Sequence, residues 1–227
     1  MSIVTASLSS PDKAGDVDQT ESALARKSGV LDVVERIIVI AMFCRFMYVT
    51  LGYFAETAHL ATFLIFVAES VALVLIIVRK GSATLSQRPT DWLFAIAGTI
   101  FPLWIMPAAV NPLIPVGICY VLMIGGIFTQ ISAKIALGRS FGIVAANRGV
   151  KVHGPYRFVR HPMYAGYAIT HVGFLLAMPS LRTAFLYATA LCLQLIRISR
   201  EERVLNQSED YRTFAASVRY RLLPGVY

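Results

Sequence analysis

Charge is scarce in this chain, and acid is scarcer than base. Asp, Glu, Lys and Arg make up 15% of the 227 residues, hydrophobic residues make up 56%, and the mean hydropathy is +0.63. A soluble domain needs a polar shell that this composition does not supply. The length is therefore read as one integral membrane bundle rather than one or two soluble domains. The 13 acidic residues stand against 21 basic ones, a net charge of +8. On a soluble surface that surplus would point to nucleic acid. Here the cations lie between apolar runs, where they set topology and meet anionic lipid headgroups, so no nucleic-acid partner is expected.

Cysteine is sparse as well. Cys44, Cys119 and Cys192 each fall inside an apolar run, with no C-x-x-C pair and no His at ligand spacing. A disulfide framework is excluded and no metal is expected. There is no Walker motif, no G-x-G-x-x-G after a strand and no nucleophile elbow. Gly125-Gly126 reads as a site of close helix packing. Residues 1–28 have no apolar core, which argues against a secretory signal and predicts a disordered tail.

What the chain does have is six apolar runs, at about 33–53, 58–78, 91–110, 113–133, 163–178 and 183–199. A span takes about 20 apolar residues, and the last two runs are near the short limit. The expected fold is an all-α integral membrane bundle of about six transmembrane helices. Pro102, Pro107, Pro112 and Pro115 predict a kinked hairpin between the third and fourth. Basic residues are distributed asymmetrically. Lys13, Arg26 and Lys27 precede the first run, and Arg79, Lys80 and Arg88 follow the second. Lys134, Arg139, Arg148, Lys151, Arg157 and Arg160 follow the fourth, and Arg197, Arg200, Arg203, Arg212, Arg219 and Arg221 close the chain. The opposite loops hold only Arg182. The positive-inside rule then predicts a multi-pass protein with both termini cytoplasmic. Arg45 and Glu69, at similar depth in the first two spans, predict an intramembrane ion pair. His59 and His171 read as hydrogen-bonded packing residues.

Two polar clusters interrupt the apolar pattern. Arg160-His161-Pro162 stands where the fifth run begins, with Tyr164 close behind. Proline suits a first helical turn, and a helix N-terminus flanked by Arg and His suits an anion. Arg157 alone reads as an interface anchor. The second cluster, Arg197 to Arg203, closes the sixth run. Arg197 and Glu201 share a helix face, and Glu201-Glu202 so close to the bilayer require partners. One Glu is suited to a cationic or hydroxyl-bearing cofactor, and Arg197 to an anionic substrate. The 134–162 loop is long for a bundle and reads as a folded functional segment. Apolar residues after Arg200, among them Tyr211 and Phe214, predict an amphipathic helix.

The ordered set Gly154-Pro155-Tyr156, Arg160-His161-Pro162-x-Tyr164-x-Gly166, Arg197-x-x-x-Glu201-Glu202-x-x-Leu205, Tyr211 and Arg219-x-Arg221-Leu222-Leu223-Pro224 resembles the isoprenylcysteine carboxyl methyltransferases, a group that also takes in phospholipid N-methyltransferases. The resemblance covers about residues 134–225. It implies a methyltransferase core (134–227) with a cytoplasmic cofactor loop and a C-terminal helix, preceded by the tail (1–28) read from composition and the N-terminal spans (29–133) read from hydropathy. It also implies S-adenosyl-L-methionine as cofactor, bound by Gly149, Val150, Lys151, Tyr156, His161, Pro162, Met163, Tyr164 and Glu201. Arg197 corresponds to the residue that contacts substrate, and Arg160 would orient reacting charge; both are the expected catalytic residues. Ala146 stands where the family commonly has Gln, and Phe214 where a second Tyr is expected.

Methyl transfer from a sulfonium needs positioning and desolvation more than a proton shuttle. A carboxylate acceptor is already ionised and wants an Arg, whereas an amine wants a carboxylate or base to take its proton. Arg160 and Arg197 favour carboxyl O-methylation of an isoprenylcysteine-like or other hydrophobic substrate. N-methylation of a phospholipid headgroup stays open, as do a sterol-type reductase and a non-enzymatic transporter or structural protein. The expected partners are the bilayer and a hydrophobic or lipidated acceptor.

Overall fold

The structure, a computed structural model, describes residues 11–78, 89–107, 110–138 and 150–225, with side chains in the first segment described for 29, 30 and from 32 onward. Among the described residues the only regular structure is helix. Seven α-helices run in order: α1 (Pro11–Thr57), α2 (Leu60–Val78), α3 (Pro89–Ile100), α4 (Val116–Leu137), α5 (Pro162–Ala177), α6 (Leu181–Leu205) and α7 (Glu209–Ser217). The all-α bundle expected from hydropathy is what forms.

Among the described residues, four helical stretches are long and apolar enough to cross a membrane: Asp32–Thr57, Leu60–Val78, Val116–Leu137 and Leu181–Leu205. The other two expected spans fall short for a backbone reason. The third ends as α-helix at Ile100 and tightens into a 3₁₀ turn, Phe101–Trp104, because Pro102 cannot continue the hydrogen-bond ladder. The fifth has 16 residues, about 24 Å at 1.5 Å per residue, between Pro162 and the Met178-Pro179 break. The count of six is therefore not reached by length. α1 also takes in residues 11–28, part of the stretch expected to be a tail. Ser10-Pro11-Asp12 is a helix-start signature, and Ala, Glu, Gln, Lys and Arg after it are good helix formers.

α4 and α5 pack backbone against backbone. A Cβ on Gly166 would lie 2.6 Å from the Gln130 nitrogen and 2.7 Å from the Gly126 oxygen, and one on Gly126 would lie 2.6 Å from the Thr170 nitrogen. Of the expected glycine pair only Gly126 serves this contact; a Cβ on Gly125 meets nothing within 4 Å. Gly166→Ala cannot be absorbed by a side-chain shift. It should lower stability by about 1–3 kcal/mol, read as a reduced unfolding midpoint in detergent. A midpoint equal to the wild type's would show that the two helices are free to separate.

Polar groups stitch the same interface. Lys134, expected in a loop, lies on α4 and is fully buried. Its Nζ donates to the Gln130 Oε1 at 3.0 Å and the Ala68 oxygen at 3.2 Å, and lies 4.8 Å from the Tyr167 ring centre. Gln130 in turn donates to Thr170 at 3.3 Å. The expected Arg45–Glu69 ion pair does not form. Arg45 sits over the Trp104 ring at 5.1 Å, and Lys134 is the cation whose charge acts on Glu69. Equal depth in two spans does not fix which way each side chain turns. His171 is a packing residue, as expected, but by stacking on Tyr187, with ring centres 4.1 Å apart.

Candidate functional site

One end of the bundle gathers the ends of α3, α5 and α6 with the C-terminal segment. Gly154 opens a 3₁₀ turn, Gly154–Arg157, with φ of +62°, a value that favours glycine. The turn buries Tyr156 and leads into α5, whose first residue is Pro162 and whose N-cap position is His161. α6 starts on Ser180, whose hydroxyl accepts from the Thr183 N–H at 3.0 Å. It carries Arg197, Glu201 and Glu202 to the same end. The residues after α7 then run back along the start of α5: the Arg160 and His161 N–H groups donate to the Tyr220 and Arg221 oxygens at 2.9 and 2.8 Å.

Glu202 is the hub of this cluster. Its carboxylate lies 2.9 Å from Arg160 Nη1 and 3.2 Å from His161 Nε2, and accepts from Arg221 Nε at 2.8 Å and the Tyr211 hydroxyl at 3.3 Å. Glu201, one residue earlier, turns the other way. It accepts from the Tyr164 hydroxyl, lies 3.9 Å from His161 Nδ1 and 3.8 Å from Arg197 Nη2. Arg197 also donates to Thr99 at 3.4 Å and lies 5.3 Å from the Tyr164 ring centre; buried Glu35 of α1 adds a further negative charge in its surroundings. Burial, then the Glu201 charge, pushes the Tyr156 phenol well above its ordinary range. Burial, then Glu202, does the same to Tyr211, which therefore stays a hydrogen-bond donor at neutral pH.

The expected residues largely converge. Arg160, His161, Tyr164, Arg197 and Glu201 meet in one cluster, and Tyr156 lies near enough for the Glu201 charge to act on it. Pro162 and Met163 are buried in the first turn of α5. Val150 and Lys151 are half-buried ahead of the 3₁₀ turn. Gly149, like Ala146, Arg139 and Arg148, lies outside the described residues. Arg160 is bound to Glu202 and, through Nη2, to the Arg219 oxygen at 3.3 Å. The sequence marked Glu201-Glu202 as a pair in need of partners but assigned a site role to Glu201 and none to Glu202. Its inward orientation comes from the packing of α6: Glu202 follows the fully buried Ile198 by four residues and shares its inward face.

Next to the cluster is a narrow cavity of about 40 Å³ whose lining includes Met163, Tyr164, Tyr167, Gln194, Arg197 and Glu69. That is space for a few waters or a small polar group, at ~10–15 Å³ each. Tyr164 and Arg197 belong to both the cluster and the cavity wall. A larger open groove of about 540 Å³ lies on another face of α5, lined by residues such as Leu122, Ile169, Val172 and Leu222; its wall is almost wholly apolar.

Residues 115–210, less than half the chain, match the family model for phospholipid methyltransferase. Over that segment the chain resembles the membrane methyltransferases. The match takes in α4, α5, α6 and both polar clusters, and it supports a membrane methyltransferase. Among solved structures the chain is similar to the eukaryotic intramembrane Ras methyltransferase, isoprenylcysteine carboxyl methyltransferase. That likeness has 19% identity and a TM-score of 0.47, and covers 82% of this chain and 75% of the other. A comparison with curated protein sequences finds no match.

Proposed function

We propose that the protein transfers a methyl group from S-adenosylmethionine to an acceptor held in the bilayer, with the cofactor at the cytoplasmic end of the bundle. The supporting observation is the convergence of His161, Tyr164, Arg197 and Glu201 beside a cavity within the bundle. The chemistry of the cluster fits the cofactor. The N–H groups of Met163 and Tyr164 lie in the first turn of α5, where no intrahelical acceptor exists, and suit an amino-acid carboxylate. The Glu201 side chain, 20% exposed, suits its ammonium. Arg160 Nε is buried with no hydrogen-bond partner among the described residues. When bound, S-adenosylmethionine supplies a methyl on a sulfonium, which leaves as a neutral thioether.

The residues of the chain position and desolvate. Tyr164 and Arg197, stacked between cluster and cavity, form the boundary across which acceptor and donor meet. The helices around them exclude bulk water, which strengthens every charge interaction inside. An acceptor carboxylate of the isoprenylcysteine kind would use Arg197 as its counter-ion. An amine headgroup is the second reading, favoured by the match to phospholipid methyltransferase.

The test is direct. Detergent-purified protein should bind S-adenosylmethionine by calorimetry, and Glu201→Ala should weaken it by about 10- to 100-fold, the loss of one charge-assisted hydrogen bond. No binding by folded wild-type protein would end the methyltransferase reading.

A further inference from the structure

The cavity is lined by an acid as well as by Arg197. Glu69 sits midway along α2, outside the segment that matches phospholipid methyltransferase. A carboxylate at that depth is costly without compensation. Lys134 offsets part of that cost: its Nζ is fixed 3.2 Å from the oxygen of Ala68, the residue before Glu69, and is further held by Gln130 and the Tyr167 ring. Lys134 is fully buried and these contacts fix its ammonium, whereas Glu69 lines the cavity. The opening thus presents one negative and one positive side chain, from α2 and α6.

We propose that Glu69 and Arg197 share the head of a zwitterionic amine acceptor, Glu69 taking the amine and Arg197 the anionic group; the assignment rests on the methyltransferase reading above. A cavity with a carboxylate in its wall disfavours an acceptor whose only charge is another carboxylate. Glu69 also completes the proton balance. An alkylammonium gives one proton to the Glu69 carboxylate, which frees the nitrogen lone pair. The new N–C bond forms as the C–S bond breaks and its electron pair goes to sulfur. The methylated nitrogen carries the positive charge, and Glu69 returns its proton to water when product leaves.

Binding without cofactor tests this, with lysophosphatidylethanolamine and N-acetyl-S-farnesylcysteine as probes, titrated by calorimetry into detergent-purified protein. The wild type should prefer the amine probe by at least about tenfold, and Glu69→Gln should erase the preference while keeping S-adenosylmethionine affinity and the unfolding midpoint. Preference for the farnesylcysteine probe, or an unchanged preference in Glu69→Gln, overturns the proposal. If that variant fails to fold, Glu69→Asp, which keeps the charge on a shorter stem, takes its place and should weaken the amine probe alone; equal loss of both probes refutes Glu69, and so does a base-labile ester as the wild type's labelled product. Absent S-adenosylmethionine binding would instead strike the methyltransferase reading, and the probe preference would still test Glu69.

Discussion

Glu202→Ala should cost about 3–5 kcal/mol and release the C-terminal segment from the start of α5. One carboxylate, 5% exposed, neutralises Arg160, itself 13% exposed, and binds His161, Tyr211 and Arg221. Its removal leaves a largely enclosed guanidinium without its carboxylate partner, and breaking a pair of which one member is buried is strongly destabilising. The Arg221 contact adds little, since that side chain is 36% exposed and solvent screens it. The unfolding midpoint should fall by about 10 °C in a chain of this size. Proteolysis should also begin to cut after α7, because the Tyr220 and Arg221 carbonyls that accept from Arg160 and His161 lose their anchor. Glu202→Gln keeps an acceptor and the side-chain shape, so its loss should be smaller. If Glu202→Ala unfolds like the wild type, the cluster is a surface network and the first turn of α5 is held by something else.

The contrast between Glu201 and Glu202 shows what the sequence could and could not convey. The Arg160-His161-Pro162 and Arg197-to-Glu202 motifs were legible as chemistry because polar residues beside apolar runs need a reason. Their convergence followed once α5 and α6 were read as neighbours in the chain. The division of labour was not legible, because adjacent helical residues diverge by about 100° and only the packing of α6 decides which faces inward. Lys134 was missed for a related reason. Hydropathy ended the fourth span at residue 133, whereas α4 runs on to Leu137 and turns Lys134 inward beside Gln130. The same index counted six spans because it weighs side chains and is blind to backbone breaks such as that at Pro102. The Gly126–Gly166 contact was half visible: a small residue in a span suggests close approach, but the partner helix is a tertiary fact.

Arg197→Ala carries the largest expected effect on turnover. Its guanidinium reaches Thr99 on α3 through Nη1 and Glu201 through Nη2 while its plane lies over Tyr164. A planar fork can hold these together and still face the cavity; a point charge cannot. Losing a charged hydrogen bond made to the acceptor in the transition state costs about 2–3 kcal/mol, roughly 30- to 150-fold in kcat/KM. Incorporation of labelled methyl into the lipids of native membranes reads this out. Alanine also strips Glu201 of a neighbouring cation, so S-adenosylmethionine affinity should shift too, but by less than about tenfold, because Tyr164 still donates to Glu201. Arg197→Lys separates the two effects. It restores a positive charge near Glu201 and therefore cofactor affinity, yet lacks the fork, so methyl incorporation should stay depressed by about tenfold. A lysine variant as active as the wild type would reduce Arg197 to a source of positive potential. A variant that loses cofactor affinity and turnover in equal measure would move Arg197 to the cofactor side of the boundary and leave Glu69 to face the acceptor without it.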